Sequence, residues 1–152
     1  MKSGNSNFLI RYSLIFIVCN MKEKDTYAPV QKWMRQNLRQ NCAIELKIVK
    51  TNSFRFDDVK DHQVANLLSV YRGFLSWKIA DVGFDQKPFD LFSLNKANAY
   101  VGVVFYEERK KKNLYLIPIQ VFILLKGASV KRSLTELEVS CFASHSVSLK
   151  GY

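Results

Sequence analysis

The stretch Cys42-Ala-Ile-Glu-Leu-Lys-Ile-Val-Lys50 decides the fold class, because its side chains separate cleanly into two alternating sets. Successive side chains of a β-strand point to opposite faces of the sheet. One face would carry the apolar set Cys42, Ile44, Leu46 and Ile48. The other face would carry Ala43, Glu45, Lys47 and Val49. The pattern therefore predicts a strand with a charged pair on a single face.

One helix is predicted on each side of this strand along the chain. Over residues 26–40 apolar side chains recur at helical spacing, and the opposite face of that helix is basic. Asp57 or Asp58 can cap a second helix that runs to about Tyr71, since short carboxylates accept hydrogen bonds from the free backbone amides of a helix start.

The remainder of the chain is rich in strand signals. Four strands are expected, at residues 74–79, 89–94, 99–106 and 114–117. Turn residues separate the last three, which predicts an antiparallel meander.

Two further helices are expected after the meander. The first is a short apolar helix at residues 121–125, and the capping box Ser133-Leu-Thr-Glu136 predicts a last helix that ends near Phe142. All of these elements together predict one mixed α/β domain over residues 21–152, with a central sheet, mostly antiparallel or mixed, that helices flank.

The charge of the chain limits its partners. It has 152 residues, with 23 Lys and Arg against 13 Asp and Glu, so its formal net charge is +10. This length fits one domain and excludes a large modular enzyme. The positive charge indicates a polyanionic partner, either nucleic acid or an anionic membrane surface.

The three cysteines are widely spaced, with no His or Cys at the spacing of a zinc site, which favours a reducing compartment and hence the cytoplasm. Residues 1–20 include an apolar run that has the outline of a secretory signal or a lipid-anchor site. Arg11 interrupts that run, and the run is too short for a bilayer of about 30 Å. We therefore expect an N-terminal extension and no membrane partner; a membrane-associated basic protein that uses residues 8–19 is an alternative.

Glu45 and Lys47 form the first candidate site. Residues two apart on a strand are about 7 Å apart at the backbone, so the carboxylate and the ammonium can converge on one point. Such a pair can hold a divalent metal ion and orient a water for attack on a phosphodiester. The alternative is a solvated salt bridge on an exposed strand, which is a common role of Glu-x-Lys.

The order of several motifs favours the first interpretation. Ala43-Ile-Glu-Leu-Lys47 precedes Ser53-Phe-Arg-Phe56, and Asp61-His-Gln63 then opens a helix. This series resembles the PD-(D/E)XK nuclease superfamily, and within it the RecU-type Holliday junction resolvases, to which Tyr115-Leu-Ile-Pro118 and Lys131-Arg-Ser-Leu-Thr135 are also similar. The resemblance implies a restriction-endonuclease-like fold and DNA cleavage that depends on Mg²⁺ or Mn²⁺. Resolvases of this family act as dimers, so it also suggests a homodimer.

The resemblance also implies roles for individual residues. Glu45 would bind the metal, Lys47 would position the attacking water, and Gln63 would support the site. The superfamily aspartate that normally precedes the Glu-x-Lys strand is missing, and the element Gln86-Lys-Pro-Phe-Asp90 supplies a downstream substitute, so Asp90 is expected to be the second metal ligand. Asp81 is a further metal candidate, although a loop acid is usually solvated.

Five basic residues are the candidate DNA contacts: Lys32, Arg35, Arg39, His62 and Lys87. Basic clusters are often only solvated surface, but the excess of positive charge favours phosphate contacts that hold DNA without reading its sequence. The leading hypothesis is therefore a Mg²⁺-dependent DNA endonuclease of the Holliday junction resolvase type. The alternative is a non-catalytic nucleic-acid-binding module on a degenerate nuclease fold.

Overall fold

The computed structural model describes residues 24–37, 41–78, 90–106 and 112–149, and of residues 24–29 the backbone only. The helices are α1 (Lys24–Asn37), α2 (Asp61–Arg72), α3 (Ile119–Ala128) and α4 (Glu136–Phe142), with a short 3₁₀ helix at Phe56–Asp58. The strands are β1 (Cys42–Val49), β2 (Ser53–Arg55), β3 (Phe74–Lys78), β4 (Leu91–Asn95), β5 (Asn98–Phe105), β6 (Lys112–Pro118), β7 (Ser133–Thr135) and β8 (His145–Leu149). The expected N-terminal extension, residues 1–20, lies outside these described ranges.

A mixed four-stranded sheet organises the fold, in the order β1-β5-β6-β8. β1 and β5 are parallel, whereas the other two pairs are antiparallel. Parallel neighbours need a crossover connection, and here that connection contains α2 and the antiparallel hairpin of β3 and β4. The predicted mixed α/β class, with a mixed central sheet and flanking helices, is confirmed.

The sheet separates two hydrophobic clusters. On one face, Leu67 of α2 and Phe122 of α3 pack in the same cluster as Val101 of β5. On the other face, Met34 of α1 packs with Ile44 of β1. α1 therefore lies on the opposite side of the sheet from α2 and α3.

The alternation predicted for β1 is confirmed. Cys42, Ile44 and Leu46 are buried in the cluster beneath α1. The other set faces α2, and it includes Glu45, which is buried among apolar neighbours and only 4% exposed. The strand therefore delivers its charged pair to the interior surface beneath α2, because the side-chain period of a strand is two.

Gly102 allows β5 to approach β1 closely. A Cβ at this position would lie 3.0 Å from Cγ2 of Ile44 and 3.1 Å from Cδ1 of Leu46. Both distances are shorter than the roughly 3.5–4.0 Å at which carbon atoms pack best, so Ile44 or Leu46 would have to move by a few tenths of an ångström. The absence of a side chain at Gly102 therefore lets two large residues of the neighbouring strand fill the cluster beneath α1.

The predicted meander is wrong in one respect. β5 and β6 are antiparallel as expected, but β4 pairs with β3 rather than with β5. Two backbone hydrogen bonds explain the difference: the amide of Lys96 donates to the carbonyl of Gly73 (2.7 Å), and the amide of Ala97 donates to that of Val70 (3.2 Å). They attach the turn after β4 to the end of α2. β5 then enters the central sheet, where it pairs with β1 on one side and with β6 on the other, so neither edge of β5 is left for β4.

Both predicted helix caps are displaced along the chain. Asp57 and Asp58 belong to the 3₁₀ helix, and α2 begins after Lys60, whose amide donates to Oε1 of Gln63 at 2.9 Å. The last helix is capped by Thr135 and Glu138 instead of Ser133 and Glu136. Long-range pairing accounts for this shift, because residues 133–135 form β7 against β2.

The C-terminal strand β8, at the end of the central sheet, was not predicted. It pairs with β6. The ring of His145 makes edge-to-face contacts with the rings of Trp33 in α1 and Tyr100 in β5, with centroid distances of 5.8 and 5.9 Å. The alternation of His145, Val147 and Leu149 with serines was the available signal. Among the described residues, no helix is long and apolar enough to cross a bilayer.

Candidate functional site

The site is built around Glu45, in the middle of β1. Its side chain faces α2, in a layer where its strand neighbours Ala43 and Val49 belong to the hydrophobic cluster. A buried carboxylate is costly unless charged or hydrogen-bonding partners surround it. The partners of Glu45 therefore decide whether it is a structural or a functional group.

Gln63 is the first of these partners. It lies in the first turn of α2, is 6% exposed, and its Nε2 donates to Oε1 of Glu45 at 2.6 Å. Its Oε1 accepts from the amide of Lys60 at 2.9 Å. Because a backbone amide can only donate, this second bond fixes which end of the Gln63 amide faces Glu45.

Lys47 closes the cluster. Its Nζ lies 2.9 Å from Oε1 of Glu45 and donates to Oε1 of Gln63 at 3.2 Å. The Lys47 side chain is 17% exposed, so it reaches solvent from a mostly buried position. An ammonium has three donors, and these two contacts use two of them. The third is directed neither to Glu45 nor to Gln63, and it can serve a phosphate oxygen or a water.

A pocket of about 60 Å³ opens beside Glu45 and Gln63. Its walls are mostly apolar, with Leu67 and Val70 from α2 and Leu75 from β3. Glu45 and Gln63 therefore belong to the lining of a mostly apolar pocket formed by residues of β1, α2 and β3. Low local polarity strengthens the electrostatic interactions of charges at such a position.

Asp90 belongs to the β3–β4 hairpin. It is exposed and lies directly before β4, whose first residue, Leu91, pairs with Lys78 of β3. The next pair is Phe92 and Trp77, and Trp77 lines the pocket beside Glu45. Asp90 therefore lies two residues along the chain from Phe92, the cross-strand partner of the pocket residue Trp77. The predicted sharing of one metal ion by Asp90 and Glu45 stays a prediction.

The other predicted residues fall into three groups. His62 is exposed and lines the pocket. Lys32 and Arg35 are exposed on α1, which the sheet separates from Glu45. Arg39, Asp81 and Lys87 lie outside the described residues. Within the described ranges, no three His, Cys, Asp or Glu side chains group closely enough to hold a metal ion together.

Cys42 is excluded as a nucleophile. It is buried on the face beneath α1, and burial raises the pKa of its thiol to about 12. A reactive cysteine needs thiolate at neutral pH. Cys42 therefore acts as a small apolar side chain of the core.

Sequence reasoning missed three contributors to the site. Lys60 acts through its backbone amide, which no side-chain pattern reveals. Asn66 and Trp77 line the pocket. The spacing of Asn66 from His62 was the available signal for Asn66, because residues four apart share one face of a helix.

Neither a protein-family model, nor a curated protein, nor a solved structure matches this chain. The likeness to the PD-(D/E)XK superfamily therefore rests on the order of the motifs and on the chemistry of the side chains.

Proposed function

We propose that the protein is a metal-dependent DNA endonuclease of the PD-(D/E)XK type, with a restriction-endonuclease-like fold. The observation that carries the proposal is the cluster of Glu45, Lys47 and Gln63 beneath the start of α2. A solvated salt bridge would lie in water, whereas this carboxylate is almost completely buried and is oriented by a glutamine amide. Such ordering is typical of groups that must hold a reacting centre.

The donor chemistry fits Mg²⁺ or Mn²⁺. Hard divalent cations prefer carboxylate oxygens, and Mg²⁺ is usually held by one or two of them. Glu45 and Asp90 would hold the ion. When bound, it would offset the negative charge that develops on a phosphodiester during hydrolysis.

The strand pattern of the hairpin supports Asp90 as the second ligand. Leu94 of β4 is buried in the cluster on the Glu45 face of the sheet, and Phe92 is half-buried. Continuing this alternation by one step places Asp90 on the same side of the hairpin. Asp90 would then face the pocket instead of solvent on the far side.

The protein groups have separate tasks in this proposal. The remaining donor of Lys47 would contact the scissile phosphate or the attacking water. Gln63 would keep the carboxylate of Glu45 in one orientation, because its own amide is fixed by the backbone of Lys60. The buried setting would make both interactions stronger than in water.

DNA as the substrate is supported by the net charge of +10. Cationic proteins hold the phosphate backbone with little dependence on sequence. Because α1 lies across the sheet from Glu45, Lys32 and Arg35 would contact DNA beyond the segment being cut. A cytoplasmic location and a homodimer remain part of the proposal.

A cleavage assay tests the proposal directly. The full chain is incubated with linear duplex, single-stranded and four-way-junction DNA, in Mg²⁺, in Mn²⁺ and in EDTA. We expect cleavage that requires the metal and that Glu45→Gln and Asp90→Asn remove. Asp57→Asn, at an exposed acid of the 3₁₀ helix, is the matched control. Metal-independent binding without cleavage of any substrate would favour the non-catalytic module instead.

A further inference from the structure

A second, larger groove opens at the C-terminal end of α3. It has a volume of about 380 Å³, and its lining comes from Phe56 and Asp57 of the 3₁₀ helix, from Lys126 of α3, and from the loop of residues 129–132 that follows α3. We call it the loop groove. Val130 of this loop is fully exposed. The loop therefore projects into solvent, and the groove is open to a macromolecule.

The described lining of the loop groove carries an excess of positive charge. Lys126, Lys131 and Arg132 are cations, whereas Asp57 is an acid. A concave surface with charges of one sign raises the local concentration of the opposite ion. The three cations therefore form a surface that suits an anion, and Asp57 takes no part in it.

Arg132 is the cation that is best placed to bind this anion. Its backbone is fixed, because its carbonyl accepts from the amide of Phe56 at 3.1 Å and β7 begins at the next residue. Its side chain is exposed, and within the part of the chain that the structure describes the guanidinium has no hydrogen bond or ion pair. A guanidinium can donate two parallel hydrogen bonds to a phosphate. Arg132 therefore combines a fixed backbone with donors that a phosphate can use.

The two lysines keep donors for the same anion. Nζ of Lys126 lies 3.1 Å from Oδ1 of Asp61, and Nζ of Lys131 lies 3.0 Å from Oε1 of Glu138. Each contact uses one of the three donors of an ammonium. The side chain of Asp61 is 97% exposed and that of Lys131 is 72% exposed, so both pairs are open to water, where ion pairs contribute little free energy. Both lysines can therefore also contact a phosphate.

The loop groove adjoins the start of α2, the part of the helix that orients Glu45. Nζ of Lys60 donates to the carbonyl of Asp57 at 3.2 Å, and the backbone amide of Lys60 donates to Gln63. Phe56 of the lining belongs to the hydrophobic cluster on the Glu45 face of the sheet. Lys60 therefore contacts both the wall of the loop groove and the glutamine that holds Glu45.

We infer that the loop groove binds a backbone phosphate of DNA, with Arg132 as the principal contact. Each nucleotide of a strand carries one phosphate charge, so one strand can present one phosphate to the loop groove and another to Glu45 and Lys47. The loop groove therefore holds the strand beside the site of cleavage without reading its sequence. DNA as the partner rests on the proposed function, whereas binding in the loop groove does not require cleavage.

The experiment measures binding without cleavage. The full chain is titrated, in EDTA, into a fluorescent DNA duplex at several salt concentrations between about 50 and 200 mM, and anisotropy reports the affinity. The variants are Arg132→Ala and Arg132→Lys. Arg72→Ala is the matched control, because Arg72 is an exposed arginine at the opposite end of α2. Vesicles that contain phosphatidylserine are titrated in parallel, since a lipid headgroup offers the same phosphate chemistry.

We expect Arg132→Ala to weaken binding of the duplex about tenfold, and to lower the slope of log affinity against log salt by about one, as the loss of one phosphate contact should. Arg132→Lys should keep the slope, because it keeps the charge, but lose part of the affinity, because an ammonium does not form the two parallel bonds. Arg72→Ala should change both quantities much less. The side chain of Arg132 is exposed, so its truncation should leave the fold intact, which circular dichroism verifies.

Three results would overturn the inference: unchanged DNA binding by Arg132→Ala, an equal loss of affinity in Arg132→Ala and Arg72→Ala, or a loss in Arg132→Ala that affects vesicles and not DNA. Failure of the proposed function gives a different result. If wild-type protein cuts no DNA in Mg²⁺ and yet binds the duplex through Arg132, the endonuclease proposal fails and the loop groove stands.

Discussion

The side-chain amide of Gln63 donates a 2.6 Å hydrogen bond to the carboxylate of Glu45, which lies 18 residues earlier in the chain. The opposite end of that amide accepts from the backbone of Lys60. The start of α2 therefore orients a buried carboxylate of β1 through a single glutamine. Any role of Glu45 in metal binding depends on this relationship between the helix and the strand.

Gln63→Ala is expected to lower both stability and activity. It removes a hydrogen bond to a buried charged group, a loss that typically costs about 1–3 kcal/mol in the free energy of unfolding. Urea denaturation measures this change in stability. The cleavage rate should fall as well, because Gln63 would no longer hold the carboxylate of Glu45 in one orientation. Gln120→Ala, at an exposed position of α3, is the control and should change neither quantity. Equal stability of Gln63→Ala and wild type would contradict the inferred role of the amide.

Lys47→Ala is expected to reduce cleavage by a factor of about 10² or more, the usual contribution of a positioned group to proton transfer or charge stabilisation. Affinity for DNA should change little, because Lys47 supplies one of 23 cationic Lys and Arg residues. Lys50→Ala, at an exposed lysine just after β1, is the matched control. Full activity of Lys47→Ala would show that the Glu45–Lys47 pair is only a salt bridge.

Glu138 is expected to make stability depend on pH in acid. The backbone amide of Thr135, and then Lys131, lower the pKa of its carboxyl from 4.5 to about 2. Because the folded state favours the ionised form, the stabilisation is complete above the ordinary pKa and is lost as the pH falls from about 4.5 towards 2. Urea unfolding of wild type and Glu138→Gln between pH 6 and pH 2 should therefore converge at the acid end.

Glu136 is the control for this experiment, since the sequence assigned the cap to it. Its carboxylate accepts from the hydroxyl of Tyr115 at 2.8 Å and does not cap the helix. The stability of Glu136→Gln should still fall with the pH in acid, as that of wild type does, whereas the stability of Glu138→Gln should not show this fall. If Glu136→Gln lost the acid-dependent fall in stability and Glu138→Gln kept it, Glu136 would be the capping residue, as the sequence predicted.

Gly102→Ala is expected to destabilise the protein by about 1–3 kcal/mol, the usual cost of overpacking a core. The new methyl group would meet Ile44 and Leu46 at 3.0 and 3.1 Å. Gly127→Ala is the matched control, because nothing lies within 4 Å of a Cβ there and the position is helical. That change should stabilise by up to about 1 kcal/mol. Thermal denaturation distinguishes the two, since the melting temperature should move in opposite directions.

Binding to duplex DNA is expected to depend steeply on salt and weakly on sequence. Neutralising even a few phosphates releases bound counterions, so affinity should fall at least tenfold between about 50 and 200 mM salt. Fluorescence anisotropy with two unrelated duplexes measures both dependences. An affinity that does not change with salt would remove nucleic acid as the partner.

The local features of the protein follow from short patterns in its sequence. The alternation of β1 predicted both of its faces, and it placed Glu45 and Lys47 side by side, because a strand has a side-chain period of two. Helical spacing predicted α1 in the same way, and capping residues predicted α2, although the ends of both helices shifted by a few residues. These features follow from short-range geometry, which each segment carries within itself.

Contacts between distant segments depend on how the whole chain packs in three dimensions. This packing brought Gln63 to Glu45 and Trp77 to the same pocket, and it placed α1 across the sheet from both. It also paired β4 with β3, and it moved the last helix cap to Thr135. The physical reason is that strand partners and helix positions depend on which backbone edges and apolar faces remain free once the rest of the chain has packed.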